Sequence, residues 1–371
     1  MITIKEVNNP KETKAFVKFP WLVYRNDPYW VPPLIAEQIN FFYPEKNPYY
    51  QHSKVQLLMA YEDDRPVGRM SVHENILHCQ KYREQMGFFG FFECFDNFSA
   101  AQALFDYAKK WLTNLGYSSM RGPANFSING EYSVLVAGFD SSPMVMMTYN
   151  PPYYPKLLEQ YGFSSSQEMY AFGHKVEEGL PENTLALAQA VRKKYPDLVM
   201  REMDVNQLEK EAKIVHKIYT EAWNENWSAS PMSEQEMVKL AKELKMIIDP
   251  SLAFILEYQN KPIGFSLTVP DANQALKTAN GRLWPFGLIK ILLKKRCLDS
   301  FRVLAMGVLK EYRHHGFDAL FYQQTLENAQ RKGYRFAEMS MINESNLPMR
   351  RVLERLGAKI YKTYRMYDLK F

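Results

Sequence analysis

Residues 300–331, SFRVLAMGVLKEYRHHGFDALFYQQTLENAQR, limit what this chain can fold into more than any other stretch. Residues 301–309 are apolar enough for a buried strand, and from 318 onward Leu320, Phe321, Leu326 and Ala329 recur at helical spacing. Between them Arg313, His314, His315 and Gly316 must carry the chain off the strand and into the helix. The first N–H groups of a helix lack intrahelical partners and lie at the positive end of its dipole. With an Arg beside them and a Gly that admits close approach, such a turn is a candidate anion site. Many strand–turn–helix joints hold no ligand, so the elements C-terminal to this one carry the weight.

A strand over 335–342 comes next, then an Asn-bearing loop, a helix over 348–356, Gly357 and a last strand over 359–369. This order resembles the second half of the GNAT acyltransferase superfamily. There the segment matching Val308 to Gly316 wraps the pyrophosphate of coenzyme A in a turn of the form (Arg or Gln)-x-x-Gly-x-(Gly or Ala). Arg313 and Gly316 match, whereas Asp318 stands where a small residue is expected; it can cap the helix, and it would repel a phosphate. The resemblance implies that acetyl-CoA or another acyl-CoA is held by Arg313, His314, His315, Gly316, Phe317, Asp318 and Ala319.

At 371 residues the chain exceeds what one core usually organises, so two domains are expected. A hydrophobic share of 46% excludes wholesale disorder, and a net charge of +5 falls short of a dedicated nucleic-acid binder. Cys79, Cys94 and Cys297 are odd in number and far apart, which argues against a disulfide framework or a Cys-rich zinc site and points to a reducing, cytoplasmic setting. No metal site is expected. No run of eighteen apolar residues exists, so no transmembrane segment is expected.

The first half repeats the grammar. A hairpin turns at Asp63 to Pro66, a strand over 87–95 leads into a helix over 99–115 with Ser99 as its N-cap, and YNPPYYPKLLEQYGF parallels NLPMRRVLERLGA near the C-terminus. The turn over 95–99 has neither Arg nor Gly, so this copy is expected not to grip a pyrophosphate. The fold class read from this is α/β (α+β): two GNAT-like domains, each a mixed, largely antiparallel twisted sheet flanked by helices. The expected division is a degenerate domain over 1–176 closed by a strand over 167–176, a connector over 177–200, and an acyl-CoA-binding domain over 201–371.

Two insertions stand out. Over 121–143, Asn125, Ser127, Asn129 and Glu131 alternate, so they can point into one acceptor cleft or simply edge a solvated hairpin. Over 281–297, GRLWPFGLIKILLKKRC forms a short basic amphipathic helix, which can lie as a lid over the domains, help hold the adenosine phosphates, or make weak contact with an anionic membrane surface.

In GNAT enzymes the strand before the phosphate turn carries a bulge whose N–H groups hold the pantetheine arm and the acyl carbonyl. The resemblance puts it at Met306, Gly307 and Val308, and puts the Asn that contacts the arm at Asn343 or Asn346. It also places acceptor-pocket residues at Trp223, Asn226 and Trp227. The family's tyrosine acid would fall at Leu353, where it is absent. Glu257, Glu338 and Glu344 are the base candidates. The implied activity is coenzyme A-dependent N-acyl transfer to an amine of a small molecule or peptide. A catalytically silent acyl-CoA sensor and a Fem-like aminoacyl transferase stand as alternatives.

Overall fold

The computed structural model describes residues 1–223 and 227–371. They divide into two compact units: Met1–Glu168 with Ala275–Leu293 and Lys362–Phe371, and Met169–Gln274 with Lys294–Tyr361.

In the first unit β1 (Ile2–Glu6), β2 (Val55–Glu62), β3 (Arg65–His73) and β4 (Met86–Cys94) pair antiparallel in that order, and β4 pairs parallel with β5 (Ser119–Gly122). The β2–β3 turn is tight because Asp63 and Asp64 both take positive φ, 48° and 61°, whose twist suits a two-residue hairpin. Helix α1 (Phe98–Asn114) buries Ala101, Leu104, Phe105, Ala108 and Leu112 against this sheet. Its N-cap is Asn97, whose Oδ1 accepts the Ala100 N–H at 3.1 Å, rather than Ser99. Helix α2 (Tyr154–Tyr161) adds Leu157 and Leu158 to the same core.

In the second unit the order is β7 (Ser164–Lys175), β12 (Phe336–Asn343), β11 (Ser300–Val308), β10 (Lys261–Pro270), β9 (Ala253–Tyr258) and β8 (Leu198–Glu202). Gln259 and Asn260 repeat the positive-φ pair at 50° and 61°, so the β9–β10 hairpin is built like β2–β3. Helices α3 (Leu208–Trp223), α5 (Phe317–Lys332) and α6 (Leu347–Arg355) flank the sheet, and α5 buries Phe317, Leu320 and Phe321. Each unit is thus a mixed, largely antiparallel sheet flanked by helices.

The closing strands belong to the opposite units from those the sequence order suggests. Met169 to Lys175 of β7 pair with β12 in the second unit. In the first unit β5 is closed instead by β13 (Lys359–Lys370), through Tyr367↔Gly122 to Lys370↔Ser119, and β6 (Val134–Ala137) also pairs with β13. Arg121 fixes this register with two bonds to Asp368, 2.8 and 2.7 Å, and Tyr367 is fully buried in the first core. Both closing strands read as alternating polar and apolar residues, and such a pattern specifies a strand without naming its partner.

Candidate active site

In the second unit, β11 and β12 pair in parallel from Ser300↔Phe336 to Val303↔Met339, and there the shared register ends. Each strand then follows its other neighbour: β11 stays on β10 as far as Val308, and β12 stays on β7 as far as Asn343. Val303 to Val308 are accordingly half-buried although they lie in a central strand. Two parting strands leave main-chain N–H and C=O groups on facing edges, which suits an extended, amide-bearing ligand arm.

One residue before the parting, a row of polar side chains crosses the sheet. Arg302 and Glu338 are register partners on β11 and β12, and Glu338 faces Gly173 on β7. Glu338 is 0% exposed and its carboxylate accepts the hydroxyls of Ser340, at 2.5 Å, and of Tyr361; Arg302 Nε lies 3.5 Å away. Arg302 also donates to Ser340 Oγ at 2.9 Å. Glycine at 173 opens the path across β7, because a Cβ there would stand 2.5 Å from the Phe336 ring and 3.3 Å from the Tyr361 ring. Tyr361 is the half-buried member of this otherwise buried set. A buried carboxylate held by two hydroxyls and a guanidinium is fully satisfied and fixed in place.

The bulge lies elsewhere than expected. Leu267 faces Ala305 and Thr268 faces Val303, so the extra residue is Leu304, not Met306, Gly307 or Val308. Those three stay paired with Ser266, Phe265 and Gly264. Gly307 is small for another reason: a Cβ would sit 2.4 Å from the ring of Trp223, which stacks on Tyr219 and Phe265. Trp223 is therefore a packing residue of α3. Trp227 is half-buried beyond it, and Asn226 lies outside the described residues.

The phosphate turn does not present the cradle the sequence suggested. Gly316 does take positive φ, 79°, at the head of α5. Yet Arg313 Nη2 donates to the Ala222 carbonyl at 3.0 Å, capping the end of α3. Phe317 is buried in the core, and the Ala319 N–H reaches Gly316 O at 3.1 Å. The half-buried Asp318 carboxyl is raised above its usual range by burial, and draws on its own N–H and that of Ala319. The first-turn amides thus already face a carboxylate, and they do not fit a diphosphate. His315 shares a 2.6 Å hydrogen bond with Tyr195 OH and stacks on Phe317, while His314 is exposed.

At 32% identity over 374 residues, with 99% of this chain and 97% of the other covered, the protein is similar to the bacterial ceramide synthase of Caulobacter vibrioides. Protein YghO of Escherichia coli K12 is 32% identical over 367 residues, with 97% and 93% covered. The chain belongs to the family of these two proteins. Among solved structures, a tandem GNAT protein from the clavulanic acid biosynthesis pathway matches with TM-score 0.59 at 11% identity, covering 100% of this chain and 98% of that one. A GCN5-related N-acetyltransferase from Sphaerobacter thermophilus matches with TM-score 0.53 at 11% identity, over 100% and 95%. The fold of this family member is therefore the GNAT fold in tandem. No family model matches the chain.

In this ceramide synthase and YghO relative the first unit also contains a parting of its parallel strands, and a loop enters it. β4 and β5 pair only from Met86↔Ser119 to Phe88↔Arg121, and beyond them Asn125 Oδ1 accepts the Phe91 N–H at 2.7 Å. A Cβ on Gly90 would lie 1.9 Å from the Ala124 carbonyl, so glycine lets the loop enter. Asn125 Nδ2 donates to Glu131 at 3.2 Å, and Ser127 Oγ accepts the Asn129 N–H at 3.2 Å. Asn125 thus links β4 to Glu131 of the same loop.

The remaining candidates are spread out. Glu257 on β9 accepts from Arg201 at 2.8 Å, and the same Arg201 binds Glu211 of α3 at 2.9 Å, an ion-paired surface groove. Asn346 caps α6 by accepting the Met349 N–H at 3.3 Å, Asn343 O accepts the Asn346 N–H, and Glu344 O accepts from Arg350. Leu353 is core. Sequence reasoning missed Arg302, Ser340 and Tyr361. The available signal was a lone charge inside each of two apolar strands, SFRVLAM and FAEMSM, which only strand pairing makes neighbours.

Proposed function

We propose that this chain is an N-acyltransferase that joins a long acyl group to the amine of a long-chain amino alcohol. Support for the acceptor class comes from the ceramide synthase relative, since a ceramide is the amide of such a base. The observation that carries the reaction type is the parting of β11 and β12 with the Arg302, Glu338, Ser340 and Tyr361 row at its apex. The donor is an acyl thioester; GNAT-fold acyltransferases generally use acyl-CoA.

In the transfer a C–N bond forms as the C–S bond breaks, the amine loses a proton and the thiolate gains one. Main-chain groups of Leu304 to Val308 orient the acyl arm by continuing the sheet. Glu338, out of solvent, positions the Tyr361 hydroxyl, and that hydroxyl, carried by the half-buried member of the row, moves the proton. Arg302 holds the carboxylate in register.

The test is mass spectrometry of the product formed from a palmitoyl thioester and sphinganine by the purified chain. The amide is expected, formed faster than with a short-chain amino alcohol. Tyr361→Phe is expected to lower kcat about a hundredfold with KM little changed. Failure of every long-chain amine to be acylated, with the thioester recovered intact, refutes the reading.

A further inference from the structure

Residues 281–297 contain Arg282, Lys290, Lys294, Lys295 and Arg296 and no acidic side chain. They fold into a loop and helix α4 (Gly287–Lys295) that turn their apolar residues outward. Trp284 is 85% exposed, Phe286 66%, Leu293 62%, Ile289 55%, Leu292 52% and Leu288 44%. At 100° per residue, Leu288, Leu292, Ile289 and Leu293 cover one continuous arc of the helix. Lys295 borders that arc on one side, and Lys290 and Lys294 border it on the other. The opposite face carries the buried Gly287 and the half-buried Ile291.

This outward face rests on a firm base. A Cβ at Gly287 would lie 1.7 Å from the Arg282 carbonyl, so glycine allows the loop to fold back tightly and throw Trp284 and Phe286 out from the same end. Leu288 N–H closes that loop on Leu283 O at 2.8 Å. Upstream, the Trp21 indole packs over Gly281 and donates to Asn280 Oδ1 at 2.9 Å, and Ile35 N–H reaches Gly281 O at 3.0 Å. At the far end Lys295 Nζ donates to Met246 O at 2.5 Å.

A helix with a broad exposed apolar arc and flanking cations, and no countercharge in its own segment, has the chemistry of an interfacial anchor. We infer that α4 with Trp284 and Phe286 docks this protein on an anionic lipid bilayer, its apolar arc entering the headgroup boundary and Lys290, Lys294 and Arg296 pairing with lipid phosphates. No helix among the described residues is long and apolar enough to cross a membrane, so the contact is with a surface. The inference stands on this face alone and goes beyond the proposed reaction.

Flotation of the full chain with vesicles of phosphatidylcholine, with and without about a third phosphatidylglycerol, tests it. Binding is expected to the anionic vesicles, weakening as salt rises. Lys290→Gln with Lys294→Gln lowers that binding about thirtyfold, at ~1 kcal/mol per basic side chain near the surface. Trp284→Ser with Leu293→Ser abolishes it while leaving the melting transition in place, because both side chains are exposed in the fold. Absence of flotation, or variants that float like the parent, overturns the inference. So does a dimer in sedimentation velocity that the serine variant dissociates, which would make a second copy the occupant of this face. Acylation of a detergent-dispersed amine by a chain that ignores vesicles would refute docking and leave the transferase reading standing.

Discussion

At the residue scale, two titratable side chains show what burial does to charge. Asp318 keeps a carboxylate over the amides that a diphosphate would need, so removing it both frees N–H groups and lifts a repulsion. Asp318→Ala is expected to raise affinity for pyrophosphate and for coenzyme A about five- to tenfold by calorimetry. No change in either would mean that the diphosphate of the donor lies away from this turn. His73 is 0% exposed between Phe88, Phe126 and Tyr49, and burial pushes it down from 6.5 to about 3. Its folded value is depressed, so the unfolded chain takes up a proton that the folded chain refuses. Stability should therefore fall as the pH drops below 6.5 towards about 3, at up to ~1.4 kcal/mol per pH unit. His73→Phe keeps the aromatic packing and removes the proton site, so its acid melting limb should be flatter than the parent's. Parallel limbs would show that His73 is not responsible.

Glycines, at the scale of the element, decide which strands can carry a site. On β7, Gly173 lets Tyr361 reach across to Glu338; in β4, Gly90 lets the loop into the parting; on β11, Gly307 seats Trp223. Gly173→Ala is expected to cost about 1–3 kcal/mol in chemical denaturation, because the neighbours at the new Cβ are rigid rings. It should also lower kcat by displacing the Tyr361 hydroxyl. A variant with parental stability and turnover would remove Tyr361 from the proposed chemistry. The hairpins, the helix α6 behind its Asn-bearing loop and the helical α1 and α5 were legible because each is written in residues close together in the chain. The cap at Asn97 was missed by two positions, since Asn and Ser are nearly interchangeable there and geometry alone selects between them.

For the whole molecule, the exchange of closing strands makes the first unit depend on the last residues of the chain. A fragment of residues 1–176 lacks β13, which leaves β5 as an open edge and removes Tyr367 from the core. It is expected to show no cooperative thermal transition by circular dichroism, and a fusion of residues 362–371 to that fragment should restore one. A fragment that melts cooperatively by itself would show that β7 can stand in for β13.

The tandem character, the hairpin turns, the strand and helix order and the basic apolar segment at 281–297 came from sequence alone, because period, turn chemistry and composition act over a few residues. Three things waited for the tertiary structure: the sheet each closing strand joins, the partner of Glu338, and the place on each parallel pair where its two strands part. Strand pairing and burial join residues far apart in the chain, and an alternating pattern says which face is apolar without saying what will cover it.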